Sequence, residues 1–272
     1  MLQATENAGL LCGGTVVAQQ RGVNVSLFQA ASALNANSRW QEVIADNLAS
    51  GAVPGFKKQQ LTTAAIQAGL MPASSAASAA NPQFFVLPKA SATTNFQPGQ
   101  LKYTGNANDV AINGRGFLSV QLPTGVTGYT RNGEFQINPQ GQLVTSEGYT
   151  VLGVAGPIQL NTQDPSPLSI SASGQVSQGA SIKGQLKMMD FDHPSLLTQI
   201  SGGYFVAQNP NLNSQPSSST LRQGYLESSN TSTVGEMANL MTAMRGFEAN
   251  QHVIQIQDDR LGKTISELGN PA

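Results

Sequence analysis

The chain has 272 residues and carries 14 Lys and Arg against 15 Asp and Glu, a formal net charge of −1. Near neutrality gives no basis for attracting nucleic acid or an anionic membrane, and the single cysteine excludes an intrachain disulfide framework or a multi-cysteine metal site. Charged residues make up 11% of the chain, less than half the usual level of about 25%, which leaves a neutral, hydrogen-bonding surface suited to close subunit packing.

Residues 1–22 contain Gly13-Gly14 and no sustained period, and read as an N-terminal extension. The mildly apolar stretch from Ala8 to Ala18 lacks a basic n-region and matches a cleaved secretory signal poorly. No run of about 18 apolar residues occurs, so no membrane insertion is expected. A helix and its closing turn occupy 23–60. From Asn24 to Asn47 the helical pattern meets no Pro or Gly, with Leu27, Leu34, Ile44 and Leu48 as its apolar stripe, until Gly51, Pro54 and Gly55 break it. Residues 61–104 read as an Ala/Ser/Pro-rich linker, in which Met71 to Ala80 has little to bury.

Residues 105–225 read as an all-β domain. Leu118, Val120 and Leu122 alternate with Phe117, Ser119 and Gln121, the pattern of a half-buried strand. Pro123-Thr124-Gly125, Asn132-Gly133, Pro139-Gln140-Gly141 and Glu147-Gly148 supply turn signals about every eight residues, which predicts a β-meander. The segments Leu168 to Val176 and Gly184 to Met189 continue the pattern.

Residues 226–272 return to helix. Met237, Leu240, Met244, Phe247, Gln251, Ile254, Asp258, Leu261, Ile265 and Leu268 recur at alternating spacings of three and four. That is a heptad seam, interrupted at Gln251 and Asp258 by residues that set register. The predicted fold class is α+β. The N- and C-terminal helices pair as a coiled-coil-like layer, within one chain or between copies, beside the central β domain. Burial of their stripes is favoured at about 25 cal/mol per Å2.

Chemistry-bearing constellations are sparse. His193 lies in the turn Asp192-His193-Pro194, and His252 follows Glu248 by one helical turn; exposed polar residues are the simpler reading, since a metal needs further ligands. Asn113-Gly114-Arg115-Gly116 precedes a strand and offers phosphate no helix N-terminus. Asp258 and Asp259 point about 100° apart on a helix, too divergent for an acid/base pair. No catalytic residue, metal or cofactor is expected.

The stretch Leu27 to Ala36, then Val43 to Ser50 and Pro54-Gly55-Phe56-Lys57, resembles the N-terminal signature of bacterial flagellar rod and hook proteins. Asp46 and Ser50 stand where Asn is usual, and Pro54 where Thr is common. The runs Gly224 to Asn230 and Glu236 to Asn250 resemble the family's other end block. Gly246 replaces the usual Ala there, at about 1 kcal/mol of helix propensity. Thr104 to Phe117, Tyr129 to Gly133 and Leu143 to Tyr149 are similar to the shared β body. The family motif falls on Asn47, Leu48, Ala49, Gly55, Phe56, Lys57, Glu236, Glu248 and Asn250. Val151 to Ile158 and Thr264 to Gly269 look more like the proximal-rod branch than the distal one.

The resemblance implies a structural, non-enzymatic subunit of the flagellar basal-body rod in the periplasm, transmitting torque from motor to hook. It implies self-assembly with other rod and hook proteins through the terminal helices. It also implies export by the flagellar type III apparatus without a cleaved signal peptide. A distal-rod or hook-type subunit is the nearer alternative. A secreted β-domain enzyme acting on the cell wall is the remoter one, and it lacks a carboxylate or metal constellation.

Overall fold

The computed structural model describes residues 9–70, 84–209 and 212–269, so the low-complexity stretch from Met71 to Ala80 lies outside the described residues. The chain divides into two compact units. One comprises the described residues up to Ala45, those within 61–92 and those from Met237 onward; the other comprises 46–60 and 93–236.

Helix α1 (Gly9–Ala49) runs for 41 residues and starts inside the segment read as an extension. Gly13 and Gly14 weaken a helix by about 1 kcal/mol each but do not end it, and no Pro intervenes. Helix α2 (Thr233–Gly269) runs for 37 residues. Its start is fixed by Ser232, whose hydroxyl accepts from the Gly235 N–H at 3.4 Å, and by Glu236 in the first turn.

In the first unit the buried side chains include Ala30, Val43 and Ile44 of α1 and Ala243 of α2. Gly246 of α2 faces Asn37 of α1: a Cβ there would lie 3.2 Å from Asn37 Nδ2. The glycine that breaks the family pattern therefore marks a close approach of the two helices. Strands β1 (Gln59–Leu70) and β2 (Phe84–Thr94) form a two-stranded sheet, where irregular linker was expected. Runs such as Leu61-Thr62-Thr63 and Phe84-Phe85-Val86-Leu87 carry the β-branched and aromatic residues that favour strand.

The second unit is built around a ten-stranded sheet. Its main path runs through Thr198–Ile200, Tyr204–Val206, Thr127–Thr130, Phe117–Gln121, Thr150–Gly153, Leu143–Thr145 and Phe135–Ile137. The neighbours along it pair antiparallel. A three-stranded sheet (Leu168–Ile170, Gln175–Gln178, Ser181–Gln185) and the pairs Thr220–Gln223 with Val110–Asn113 and Tyr225–Glu227 with Leu101–Tyr103 complete it.

The meander expectation holds for the pair Phe117–Gln121 with Thr127–Thr130 and again from Phe135 to Gly153. It fails between them, because Thr127–Thr130 takes Tyr204–Val206 as its other neighbour and Phe117–Gln121 takes Thr150–Gly153. Asn132-Gly133 is the cause. It makes no hairpin turn: Asn132 Oδ1 accepts from the Glu134 N–H at 2.9 Å, and a Cβ on Gly133 would lie 1.7 Å from the Val110 carbonyl oxygen. Phe117–Gln121 is also buried on both faces rather than one. Leu118 and Val120 join the main core with Val110, Leu143, Val151 and Val176, while Phe117 packs with Phe191 and Phe205 in a second cluster.

Candidate functional site

Two features of the chain stand out chemically: the faces of the helices, and a buried cluster of charge in the β unit.

On α2 the half-buried and buried positions, apart from Gly246 at its close approach to Asn37, are Glu236, Leu240, Ala243, Phe247, Asn250, Ile254, Gln257 and Leu261. They alternate in spacings of four and three. The sequence seam shares Leu240, Phe247, Ile254 and Leu261 with this stripe. Its other members, Met237, Met244, Gln251, Asp258 and Ile265, are exposed on the flank. Met237, Met241 and Met244 are 48%, 58% and 50% exposed, and Val253, Ile256 and Ile265 are exposed further along. On α1, Ile44 is buried and Leu34 and Leu48 are half-buried. The side chains of Leu27 and Leu268 lie outside the described residues. Of the remaining motif residues, Ala49 and Glu248 are exposed and Asn250 is half-buried.

The turn after α1 carries the rest of the motif. Gly55 adopts φ +70°, and Gly55, Phe56 and Lys57 are all buried. Asn47, buried near the end of α1, acts as a strand neighbour with its side chain. Its Nδ2 donates to the Gln59 carbonyl at 2.8 Å, and its Oδ1 accepts from the Gln59 N–H at 2.8 Å. Gly51 follows the helix, where a Cβ would lie 3.4 Å from Thr233 Oγ1, so the end of α1 and the start of α2 are adjacent.

Lys57, Arg131 and Glu227, each at most 4% exposed, meet in the interior. Lys57 Nζ donates to Glu227 Oε1 and, at 2.9 Å, to the Gln97 carbonyl. Arg131 donates to Glu227 Oε2 at 2.9 Å and to the Gly114 carbonyl at 2.8 Å. The Gly99 N–H donates to Glu227 Oε1 at 2.7 Å. Burial pushes the Lys57 ammonium below its ordinary range, opposed by the Glu227 carboxylate. Asn230 braces the same junction: its Oδ1 accepts from Lys58 N–H at 2.8 Å, and its Nδ2 donates to the carbonyls of Asn95 and Gln97 at 2.8 and 3.0 Å.

Each of these residues lies in one of the three sequence blocks that carry the resemblance, or in the linker expected between them. Sequence reasoning quoted Arg131 and Glu227 within motifs but gave neither a role. In a chain with so few charges, a Lys in a turn, an Arg just after a strand and a Glu at a strand's end were the available signal.

His193 caps a short 3-10 turn and His252 is exposed on α2. Among the described residues no group of three His, Cys, Asp or Glu is placed to hold a metal. No helix among them is long and apolar enough to cross a membrane.

Together these features define an α+β protein in which the N-terminal helix ends and the C-terminal helix begins at one polar junction, and the C-terminal helix presents apolar side chains to solvent. Residues 111–178 match the flagellar hook protein FlgE/F/G D1 domain, and residues 222–267 match the flagellar basal body rod FlgEFG protein C-terminal region. The chain is 34% identical to the flagellar basal-body rod protein FlgG of Buchnera aphidicola subsp. Baizongia pistaciae, over 88% of this chain and 97% of that one. It is 30% identical to the basal-body rod protein FlgF of Escherichia coli, over 88% and 96%. It is 32% identical to FlgG of Borreliella burgdorferi, over 87% and 96%. The chain belongs to the flagellar hook and basal-body rod protein family.

Proposed function

We propose that this chain is a structural, non-enzymatic subunit of the flagellar basal-body rod, assembling with copies of itself and with other rod and hook proteins. The observation that carries the reading is the exposed apolar flank of α2, from Met237 through Met244 to Ile265. Water disfavours such a flank at about 25 cal/mol per Å2, and a neighbouring helix relieves it. A stripe turned partly inward and partly outward suits a helical array, where the same surface meets a different surface on the next copy and the contact need not close.

In this reading the helices form a coiled-coil-like axial layer. Leu27, Leu34, Ile44 and Leu48 lie on one side of its seams, and Met237, Leu240, Met244, Phe247, Ile254, Leu261, Ile265 and Leu268 on the other. Gln251 and Asp258 set register between subunits. The protein takes a proximal position in the periplasmic rod and leaves the cell through the flagellar type III apparatus without signal cleavage. The resemblance of Val151 to Ile158 and Thr264 to Gly269 supports the proximal position.

The test is localisation of the tagged chain in purified basal bodies by electron microscopy, with a truncation from about Val253 onward. Rod density containing the full chain, and loss of rods and motility in the truncated strain, is the expected result. Normal rods in the truncated strain would sink the reading.

A further inference from the structure

The strands Leu101–Tyr103 and Tyr225–Glu227 pair antiparallel as a ribbon that adds little to either apolar core. Tyr103 is 69% exposed, Leu101, Tyr225 and Leu226 are only half-buried, and Glu227 is the one fully buried side chain. Polar contacts hold the ribbon instead. Glu227 gathers Lys57, Arg131 and the Gly99 N–H. The Gly55 N–H donates to the Glu227 carbonyl at 2.7 Å, and the Ser228 N–H to the Gln100 carbonyl at 2.8 Å. The β unit thus uses two kinds of cohesion in two different places.

We propose that the Lys57–Glu227–Arg131 cluster is a latch that opens as a unit of its own, releasing the ribbon, the Gly55–Lys58 turn and the adjacent helix ends while the β core stays folded. Two cations share one carboxylate, so the closed latch buries an excess positive charge. Arg131 Nε is buried without a hydrogen-bond partner. Burial also holds the Lys57 ammonium below its usual range.

Opening returns all three charges to water, which solvates them well, at the cost of exposing the single aromatic Phe56; opening the core would expose many apolar side chains, which water solvates badly. A half-open latch would leave an unpaired buried charge, so the contacts close or open together. The use of the latch rests on the rod reading: a subunit whose helix ends are releasable can orient both helices as it joins a neighbour.

Hydrogen exchange on the purified full chain tests the latch independently of assembly. In the unsubstituted protein, the amides of Gly55, Thr104 and Ser228 should exchange through an opening that depends weakly on denaturant. Amides of Phe117–Gln121 and Thr150–Gly153 should exchange only on global unfolding.

Glu227→Gln leaves the backbone acceptors of those three latch amides in place. It should nonetheless speed their exchange by about 100-fold or more, leaving the core amides unchanged. Equal acceleration at both sets, no acceleration, or a Glu227→Gln chain without a folded core would each overturn the proposal. So would identical exchange of latch and core amides in the unsubstituted protein at every denaturant concentration. Localisation to a structure other than the rod would remove the proposed use and leave the exchange result standing.

Discussion

Two glycines with nearly the same backbone conformation differ completely in their surroundings. Gly55 has φ +70°, and a Cβ on it would lie 2.3 Å from the Arg131 carbonyl carbon, 2.5 Å from its oxygen and 2.5 Å from the Asn132 nitrogen. All three are backbone atoms and cannot swing aside. Gly125 has φ +79° and nothing within 4 Å of its would-be Cβ. Gly125→Ala therefore carries only the left-handed penalty, roughly 1–2 kcal/mol. Gly55→Ala carries that penalty plus displacement of the 131–132 backbone, about 2–3 kcal/mol if the cost resembles that of overpacked cores. At about 2–4 °C per kcal/mol for a unit of this size, Gly55→Ala should melt roughly 4–12 °C below Gly125→Ala. Calorimetry, with circular dichroism reporting the β signal, measures both. Equal melting temperatures would refute the claim that the turn is wedged against Arg131.

Asn47→Ala should cost about 1–3 kcal/mol in denaturant unfolding, because the backbone N–H and C=O of Gln59 lose their side-chain partner together; a loss below about 0.5 kcal/mol would contradict the brace. Burial pushes the Tyr204 phenol up to about 12 from an ordinary value of 10.0. Its folded pKa lies above its unfolded one, so its contribution is fully present below pH 10.0 and fades as pH rises toward about 12. Burial raises the Tyr129 phenol as well, so tyrosinate absorbance should show a late-titrating component that Tyr204→Phe reduces, and an unchanged component in that variant would refute the assignment. Changing Met237, Met241 and Met244 together to Gln should leave folding stability within about 1 kcal/mol, since all three are exposed, yet abolish motility on complementation. Full motility would show that this flank is not an assembly surface.

The helices and the β-rich middle were legible in the sequence because periodicity reports one-sided burial. The seam at Leu240, Phe247, Ile254 and Leu261 was visible for that reason. Its inward companions Ala243, Asn250 and Gln257 were not, since small and polar residues carry no hydrophobic signal. The β1–β2 sheet was hidden by the Ala- and Ser-rich composition around it. Strand order was hidden because Asn132-Gly133 looks like a hairpin turn while serving a close backbone approach at Val110. The charged cluster was the largest omission: Lys57 and Glu227 are 170 positions apart, and no local pattern joins them. Only the family resemblance marked Lys57 at all, and it supplied no partner.

The adjacency of Gly51 and Thr233 has an electrostatic consequence. The C-terminal end of α1 carries about half a negative charge from its free carbonyls, and the N-terminal end of α2 about half a positive charge from its free amides. At close approach in an effective dielectric of about 20, two such partial charges attract by up to about 1 kcal/mol. Helices commonly seek that compensation from a Lys or Arg in the last turn, and α1 has none there. One helix end here serves as the counter-ion of the other, beside Glu236 in the first turn of α2, so α1 terminates without a basic residue in its last turn.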